Sequence, residues 1–201
     1  MTTPWRPWTP EEAAAQLSRI SGQGKSLRWA VAGGWAIDLH LGRVTRPHED
    51  LEIAVLSDDA PAVLDAFREP AWRWDIPMDG RLYPRDSAAF TQTDQTWLWS
   101  EEYHRFVVDV FRERHDAGTW IFRRDETIRR PWSELVALNP AAIPYLAPET
   151  VLLFKAKYSR PKDILDLDAV LPTLDDRARG WLHSAVQQLH PGHAWLDRLG
   201  P

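Results

Sequence analysis

The chain has 201 residues, 44% of them hydrophobic and 26% charged, with a formal net charge of −5, enough for one domain with a real core or a domain plus a small appendage. The acidic balance disfavours a general nucleic-acid binder, which carries a basic excess, and cysteine is absent, so disulfides and thiolate chemistry are excluded and a cytoplasmic location is expected. No apolar run approaches the roughly 20 residues that span a bilayer, and the N-terminus does not read as a signal peptide, so a membrane transporter is excluded.

Residues 1–8, rich in proline and tryptophan, read as extended. Thr9-Pro10-Glu11-Glu12 is a helix start: Thr as N-cap, Pro at the first position, acids in the first turn. That helix turns Ala14, Leu17 and Ile20 inward and stops near Gly22, and a loop from Ser21 to Lys25 follows. Arg28 to Ala32 is an apolar strand. Gly33-Gly34 turns into a short helix that Gly42 closes, with Asp38 on it as a capping or loop-fixing carboxylate. After a polar loop, Asp50 to Leu56 reads as a strand, and its period of two puts Asp50 and Glu52 on one face.

Ser57 is expected to cap a helix running through Arg68. Trp72 to Ile76 alternates as a strand, and Met78 to Arg81 turns the chain into a short strand at Leu82-Tyr83. The loop from Pro84 to Thr93 is long enough to border a site. Gln95 to Ser100 alternates again, with Trp97 and Trp99 on one face. Arg105 to Glu113 is an apolar strand with one internal acid, Asp109. Burying a lone carboxylate costs several kcal/mol unless it is paired or bound to a cation. Trp120 to Arg124 and Thr127 to Trp132 read as a hairpin, either a substrate-side flap or a sheet extension. Most of the twelve tryptophans read as packing groups, and a minority can stack on a ring-shaped ligand.

From Ser133 the pattern turns helical. Asn139 to Ala147 is a proline-punctuated connector, Pro148 to Tyr158 a helix, Pro161 the start of another, and Asp175-Asp176 the start of a last long helix to about Leu189. Residues 1–132 are thus expected to form the α/β core and 133–201 a helical segment packed on it. Near the end of the Pro148 helix, Lys155 and Lys157 either complement the helix dipole or reach a phosphate. Asp163 and Asp166 are expected to pair with Lys162 or Arg160.

The stretch from Val31 to Leu56 carries the chemistry. Adjacent glycines leave the backbone amides of a helix N-terminus open to a phosphate. Paired carboxylates repel each other without a cation, and hard oxygen ligands suit Mg2+, which takes one or two carboxylates plus substrate phosphates. Arg46 fits a phosphate or a pairing with Glu49 or Asp50, and His48 reads as a loop anchor.

The motifs Gly33-Gly34-Trp35-Ala36-Ile37-Asp38, Gly42-Arg43-Val44-Thr45-Arg46-Pro47-His48 and Asp50-Leu51-Glu52 resemble the polymerase-beta-like nucleotidyltransferase superfamily. Within it they resemble the aminoglycoside 2''-adenylyltransferases and lincosamide nucleotidyltransferases. The second acid of the strand is Glu52 where those enzymes carry Asp, and the added methylene moves the carboxylate by about 1.5 Å.

The resemblance implies an α+β fold, a palm-like mixed sheet flanked by helices with a C-terminal helical segment. It also implies an Mg2+-dependent enzyme that moves a nucleoside monophosphate, AMP from ATP, onto a hydroxyl of a small molecule such as an antibiotic. Asp50, Glu52 and Asp109 would be its metal ligands and catalytic acids. Gly33, Gly34, Arg46, Lys155 and Lys157 would hold the nucleotide. Two alternatives stand beside it: a toxin-type nucleotidyltransferase acting on tRNA or protein, and a nucleotide-binding homologue that has lost rate.

Overall fold

The computed structural model describes residues 8–21, 27–67 and 72–200. The readings for residues 1–7, the stop near Gly22, the Ser21–Lys25 loop, the inward Ile20 and the Arg68 helix end fall wholly or partly outside them.

The chain opens with α1 (Pro10–Ser21), β1 (Trp29–Val31), α2 (Gly33–Leu41), β2 (Leu51–Leu56) and α3 (Ala60–Ala66). Next come β3 (Trp72–Met78), β4 (Arg81–Pro84), a 3-10 turn at Ala88–Thr91, β5 (Gln95–Ser100), β6 (Arg105–Glu113), β7 (His115–Asp116), β8 (Thr119–Ile121) and β9 (Arg129–Pro131). The last part holds α4 (Trp132–Leu135), β10 (Val136–Leu138), β11 (Pro144–Leu146), α5 (Pro148–Ala156), α6 (Pro161–Val170), α7 (Asp176–Leu189) and α8 (Leu196–Leu199). Eight strands form one mixed sheet in the order β10-β11-β1-β2-β6-β5-β3-β4, and β7, β8 and β9 form a small second sheet.

Local chemistry explains most boundaries. Thr9 and Glu12 cap α1 reciprocally: the Thr9 amide donates to Glu12 Oε2 at 3.0 Å, and the Glu12 amide to Thr9 Oγ1 at 3.4 Å. Ala13 and Leu17 are its fully buried residues, with Ala14 packed at the edge of the core. Gly42 ends α2 in the left-handed conformation, φ 66°. Asp79 and Gly80, both at positive φ, make the tight turn between β3 and β4. Asp175 caps α7 by accepting the Ala178 amide at 2.7 Å.

Three expectations need correction. Ser57 does not cap α3: its amide donates to Glu113 O at 2.9 Å, and the helix starts later, at Ala60 with Pro61 in its first turn. The loop from Pro84 to Thr93 does not border the cleft described below; its carbonyls at Phe90 and Thr93 instead accept from the Arg112 guanidinium. The Asn139–Ala147 connector contains a strand. β11 runs parallel to β1, with Tyr145 opposite Val31, and β10 pairs with β11. The main sheet therefore continues past residue 132. Prolines at 140 and 144 hid these strands, although Pro is tolerated at the first residue of a strand.

The core lies where β1, β2 and β6 meet α1, α2, α3 and α5. Ala30, Val31, Ile53, Val55, Val110, Ile37, Leu64 and Leu152 have no measurable exposure. β2 and β6 run parallel through its centre, so any side chain they turn outward starts from a rigid base.

Candidate active site

A cleft of about 670 Å³ opens over the middle of the main sheet. The turn after β1 forms one wall and α5 the other. The Ala32 amide donates to Glu52 O at 2.8 Å, which pins the start of α2 directly above β2. Gly33 has φ +59°, a conformation other residues adopt at a cost. A Cβ on Gly33 would lie 1.3 Å from Glu52 Oε2, and one on Gly34 would lie 2.2 Å from an Arg46 nitrogen and 2.7 Å from His48. The left-handed φ favours glycine at position 33, and at both positions an added Cβ would have to displace the side chains that lie there. The turn is therefore more covered than expected: the Glu52 carboxylate lies against Gly33, and Arg46 with His48 lies against Gly34.

Glu52 and Asp109 are register partners on the parallel strands β2 and β6, so both carboxylates rise from adjacent points of the sheet, about 4.8 Å apart at the backbone. Asp50 stands just before β2, at the exposed rim of the same cleft. Gln95 Nε2 donates to Asp109 Oδ2 at 2.5 Å. The other oxygen, Oδ1, is buried and has no partner among the described residues.

These groups resist ionisation. Burial first, then the charge of Glu52, pushes the Asp109 carboxyl well above the usual carboxylate range. Burial and the charge of Asp50 raise Glu52. Asp50 is raised by partial burial, against the pull of Lys162.

The cations of the cleft are arranged by buried acids on α6. Asp166 accepts Arg46 Nε at 3.3 Å and lies 2.9 Å from Lys155 Nζ. Asp163 accepts Lys155 at 3.2 Å and Arg160 Nε at 2.9 Å. Asp163 and Asp166 thus pair with Arg160, Lys155 and Arg46 rather than with Lys162, and Arg46 pairs with neither Glu49 nor Asp50. Lys155 lines the cleft; Lys157 does not, and its Nζ sits 5.0 Å from the centre of the Tyr158 ring.

The loop before β2 is held by Asp38, whose carboxylate accepts the Thr45 amide at 3.0 Å, the Thr45 hydroxyl at 2.5 Å and a contact from His48 Nε2 at 2.5 Å. That geometry matches a loop-fixing aspartate and a loop-anchoring histidine. Burial holds His48 below the usual imidazole value, against the pull of Asp38.

Among the described residues, no group of three or more His, Asp or Glu side chains is arranged to hold a metal ion. The donor set nonetheless fits magnesium. Two adjacent half-buried carboxylates have no bonded Lys or Arg among the described residues, one oxygen has no hydrogen bond, and Mg2+ takes its remaining ligands from water and phosphate.

Sequence reasoning missed Gln95, Phe111, Arg123, Arg124 and Phe154, all lining the cleft. Gln95 carried a signal, since it sits on the strand face shared with Trp97, the register partner of Asp109. The arginines carried none, because only the turn between β8 and β9 brings them over the sheet.

Residues 19–80 match a family model described as aminoglycoside-2''-adenylyltransferase. No curated protein matches the chain in sequence. Among solved structures, ANT(2'')-Ia in complex with adenylyl-2''-tobramycin aligns with a TM-score of 0.59 at 13% identity, covering 89% of this chain and 95% of that one. The lincosamide antibiotic adenylyltransferase LnuA, bound to lincomycin, gives 0.56 at 17% identity, covering 82% and 98%. An antigenic nucleotidyltransferase-like protein from Paracoccidioides brasiliensis gives 0.50 at 14% identity, covering 94% and 90%. The chain has the nucleotidyltransferase fold, a mixed sheet flanked by helices, and resembles the antibiotic adenylyltransferases.

Proposed function

We propose that this protein is an Mg2+-dependent nucleotidyltransferase that moves a nucleoside monophosphate, AMP from ATP, onto a hydroxyl of a small molecule, with aminoglycoside and lincosamide antibiotics as candidate acceptors. The observation that carries this reading is the pairing of Glu52 with Asp109 across β2 and β6, both lining the cleft, with Asp109 Oδ1 left without a hydrogen bond. Asp50, Glu52 and Asp109 would hold the metal, which supplies charge neutralisation for the entering and leaving oxygens. A bond forms between the acceptor oxygen and the α-phosphorus, the α–β phosphoanhydride bond breaks, and pyrophosphate leaves. Asp109 would receive the hydroxyl proton, with its Oδ2 held by the Gln95 amide. Arg46 and Lys155, already oriented by Asp166, meet the triphosphate, as do the backbone amides at Gly33 and Gly34. Lys157 can reach it only by leaving Tyr158. The reading draws on residues 1–132 for the acids and the glycine turn and on residues 133–201 for Lys155 and Asp166.

Asp50→Asn and Asp109→Asn test the reading. Pyrophosphate release with each nucleoside triphosphate and a panel of antibiotics should fall to background in both variants while far-ultraviolet circular dichroism is unchanged. Turnover like the parent's in either variant removes that residue from the site.

The cover over Gly33 supports a second reading, a nucleotide-binding homologue of reduced rate. Here the Glu52 carboxylate occupies the place a phosphate would approach. Glu52→Asp shortens the side chain by about 1.5 Å and uncovers the turn. Faster pyrophosphate release in this variant supports Glu52 as a brake; a loss of release assigns Glu52 to a site built for its length.

A further inference from the structure

Beyond Asp109 the cleft changes character. Residues 109, 111 and 113 lie on one face of β6, and Asp109, Phe111 and Glu113 all line the cleft. Ala54, the register partner of Phe111, leaves open space beside that ring. Arg123 stands over this floor. Its guanidinium lies 4.6 Å from the centre of the Phe111 ring and 4.9 Å from that of Phe154. Its one ion pair among the described residues, to Glu113, is long at 3.9 Å. Glu113 already accepts from Trp120 Nε1 at 2.7 Å, and burial pushes its carboxyl up toward the neutral form. A planar fork of N–H donors is therefore held between two rings with its hydrogen-bonding edge unfilled.

The rim next to it is basic as well. Arg124 Nη1 donates to Phe154 O at 3.0 Å. Burial, then the neighbouring charge of Arg123, lowers its affinity for a proton. Tyr158 is 61% exposed, with Lys157 and Arg160 at 5.0 and 5.9 Å from its ring centre. An ammonium group seeking the aromatic faces finds them taken by Arg123, and like charges at close range cost several kcal/mol.

We infer that this end of the cleft, built from Arg123, Phe111 and Phe154, is the acceptor subsite and takes a hydroxylated molecule bearing a carboxylate or phosphate, while turning polycations away. The inference rests on the nucleotidyltransferase reading. It assigns the subsite to the acceptor because the groups suited to a triphosphate, Gly33, Gly34 and Arg46, cluster over Glu52 and the loop before it. Phe111 lies two residues past Asp109, about 7 Å along the strand. A polyamine such as tobramycin is thereby a poor acceptor for this chain, which removes the aminoglycosides from the candidate acceptors named above, although the fold resembles that of an enzyme solved with adenylyl-2''-tobramycin.

Two matched probes test it. 4-Hydroxybenzoate and 4-hydroxybenzylamine share the ring and the hydroxyl and differ in the sign of their charge. Titrated calorimetrically into the full chain with Mg2+ and a non-hydrolysable ATP analogue, the benzoate should bind at least about tenfold more tightly. Arg123→Gln should erase the preference and Arg123→Glu reverse it, with Arg123→Lys retaining its sign; circular dichroism checks each fold. Equal affinities, a preference for the amine, or no binding of either probe overturns the inference. So does an Arg123→Gln variant that loses affinity for the ATP analogue and keeps the probe preference, because Arg123 then belongs to the donor. Labelling of bulk tRNA that depends on Arg123, with no benzoate preference, overturns it in favour of a macromolecular acceptor. If no nucleotide binds at all while the probe preference holds on the free protein, the enzymatic reading fails and the anion subsite survives.

Discussion

Asp163 and Asp166 on α6 lie buried behind the cations of the cleft, Glu52 and Asp109 on the sheet line it, and only the first pair has cations bonded to it. Asp163 and Asp166 are 0% and 2% exposed, and Lys155, Arg160 and Arg46 lie within 2.9 to 3.3 Å of their oxygens. Glu52 and Asp109 have no Lys or Arg bonded to them among the described residues, and Asp109 keeps an oxygen without any partner. Burial acts on both pairs. In the first, donated hydrogen bonds outweigh it, and Asp163 stays below its usual value. In the second, a neighbouring negative charge adds to it, that of Asp50 on Glu52 and that of Glu52 on Asp109, and both carboxyls are raised. The open pair suits the proposed Mg2+, which would arrive with its own positive charge.

Breaking each pair should therefore give different results. Asp109→Asn is the largest expected effect on function: turnover falls by roughly 10²- to 10⁴-fold, with folding stability unchanged or improved, because an uncompensated buried carboxyl is removed. Asp166→Ala should instead lower stability first, with turnover reduced only through the loosened Arg46 and Lys155. It leaves Lys155 buried with one partner fewer and Arg46 without its carboxylate, and costs about 3 kcal/mol of stability. For a chain of this size that is a fall of about 10 °C in the melting temperature. Calorimetric unfolding of both variants decides the matter. A stabilised Asp166→Ala, or an Asp109→Asn that loses as much stability as activity, would remove the distinction between the two pairs.

How much of this was legible in the sequence follows from the same contrast. The acids of β2 and β6 were readable because a strand has a period of two and an acid in an apolar run stands out. Gly33 and Gly34 were readable because only a tight turn or a close approach requires two glycines in a row. The pairing of Arg46 with Asp166 was not, because the partners are 120 residues apart and a local pairing with Glu49 or Asp50 satisfies every sequence rule. The cover that Glu52 lays over Gly33 was hidden for another reason. Spacing gives the direction of a side chain, but how far it reaches is settled only when the turn is pinned to the strand. Arg123 and Arg124 looked like the ordinary basic residues of a hairpin, since nothing local says that the hairpin turn hangs over the sheet.

The smallest expected effect is the pH dependence that the open pair imposes on stability, and its sign is fixed. The folded-state values of Glu52 and Asp109 lie above their unfolded values, 4.5 and 3.8. Between the unfolded and folded values, the native state binds more protons than the unfolded chain. Stability without metal must then fall as pH rises through that window, by at most about 1.4 kcal/mol per pH unit for each proton. Above the folded values the loss is complete and the curve is flat. On the proposed function Mg2+ would act oppositely, by binding the ionised pair: its stabilisation should grow as pH rises and vanish in acid. Urea unfolding from pH 4.5 to 7.5, with Mg2+ and with EDTA, should give curves that separate as pH increases. Asp109→Asn should flatten the EDTA curve and close the gap, while a gap of equal size at every pH would mean that Mg2+ binds somewhere other than this pair.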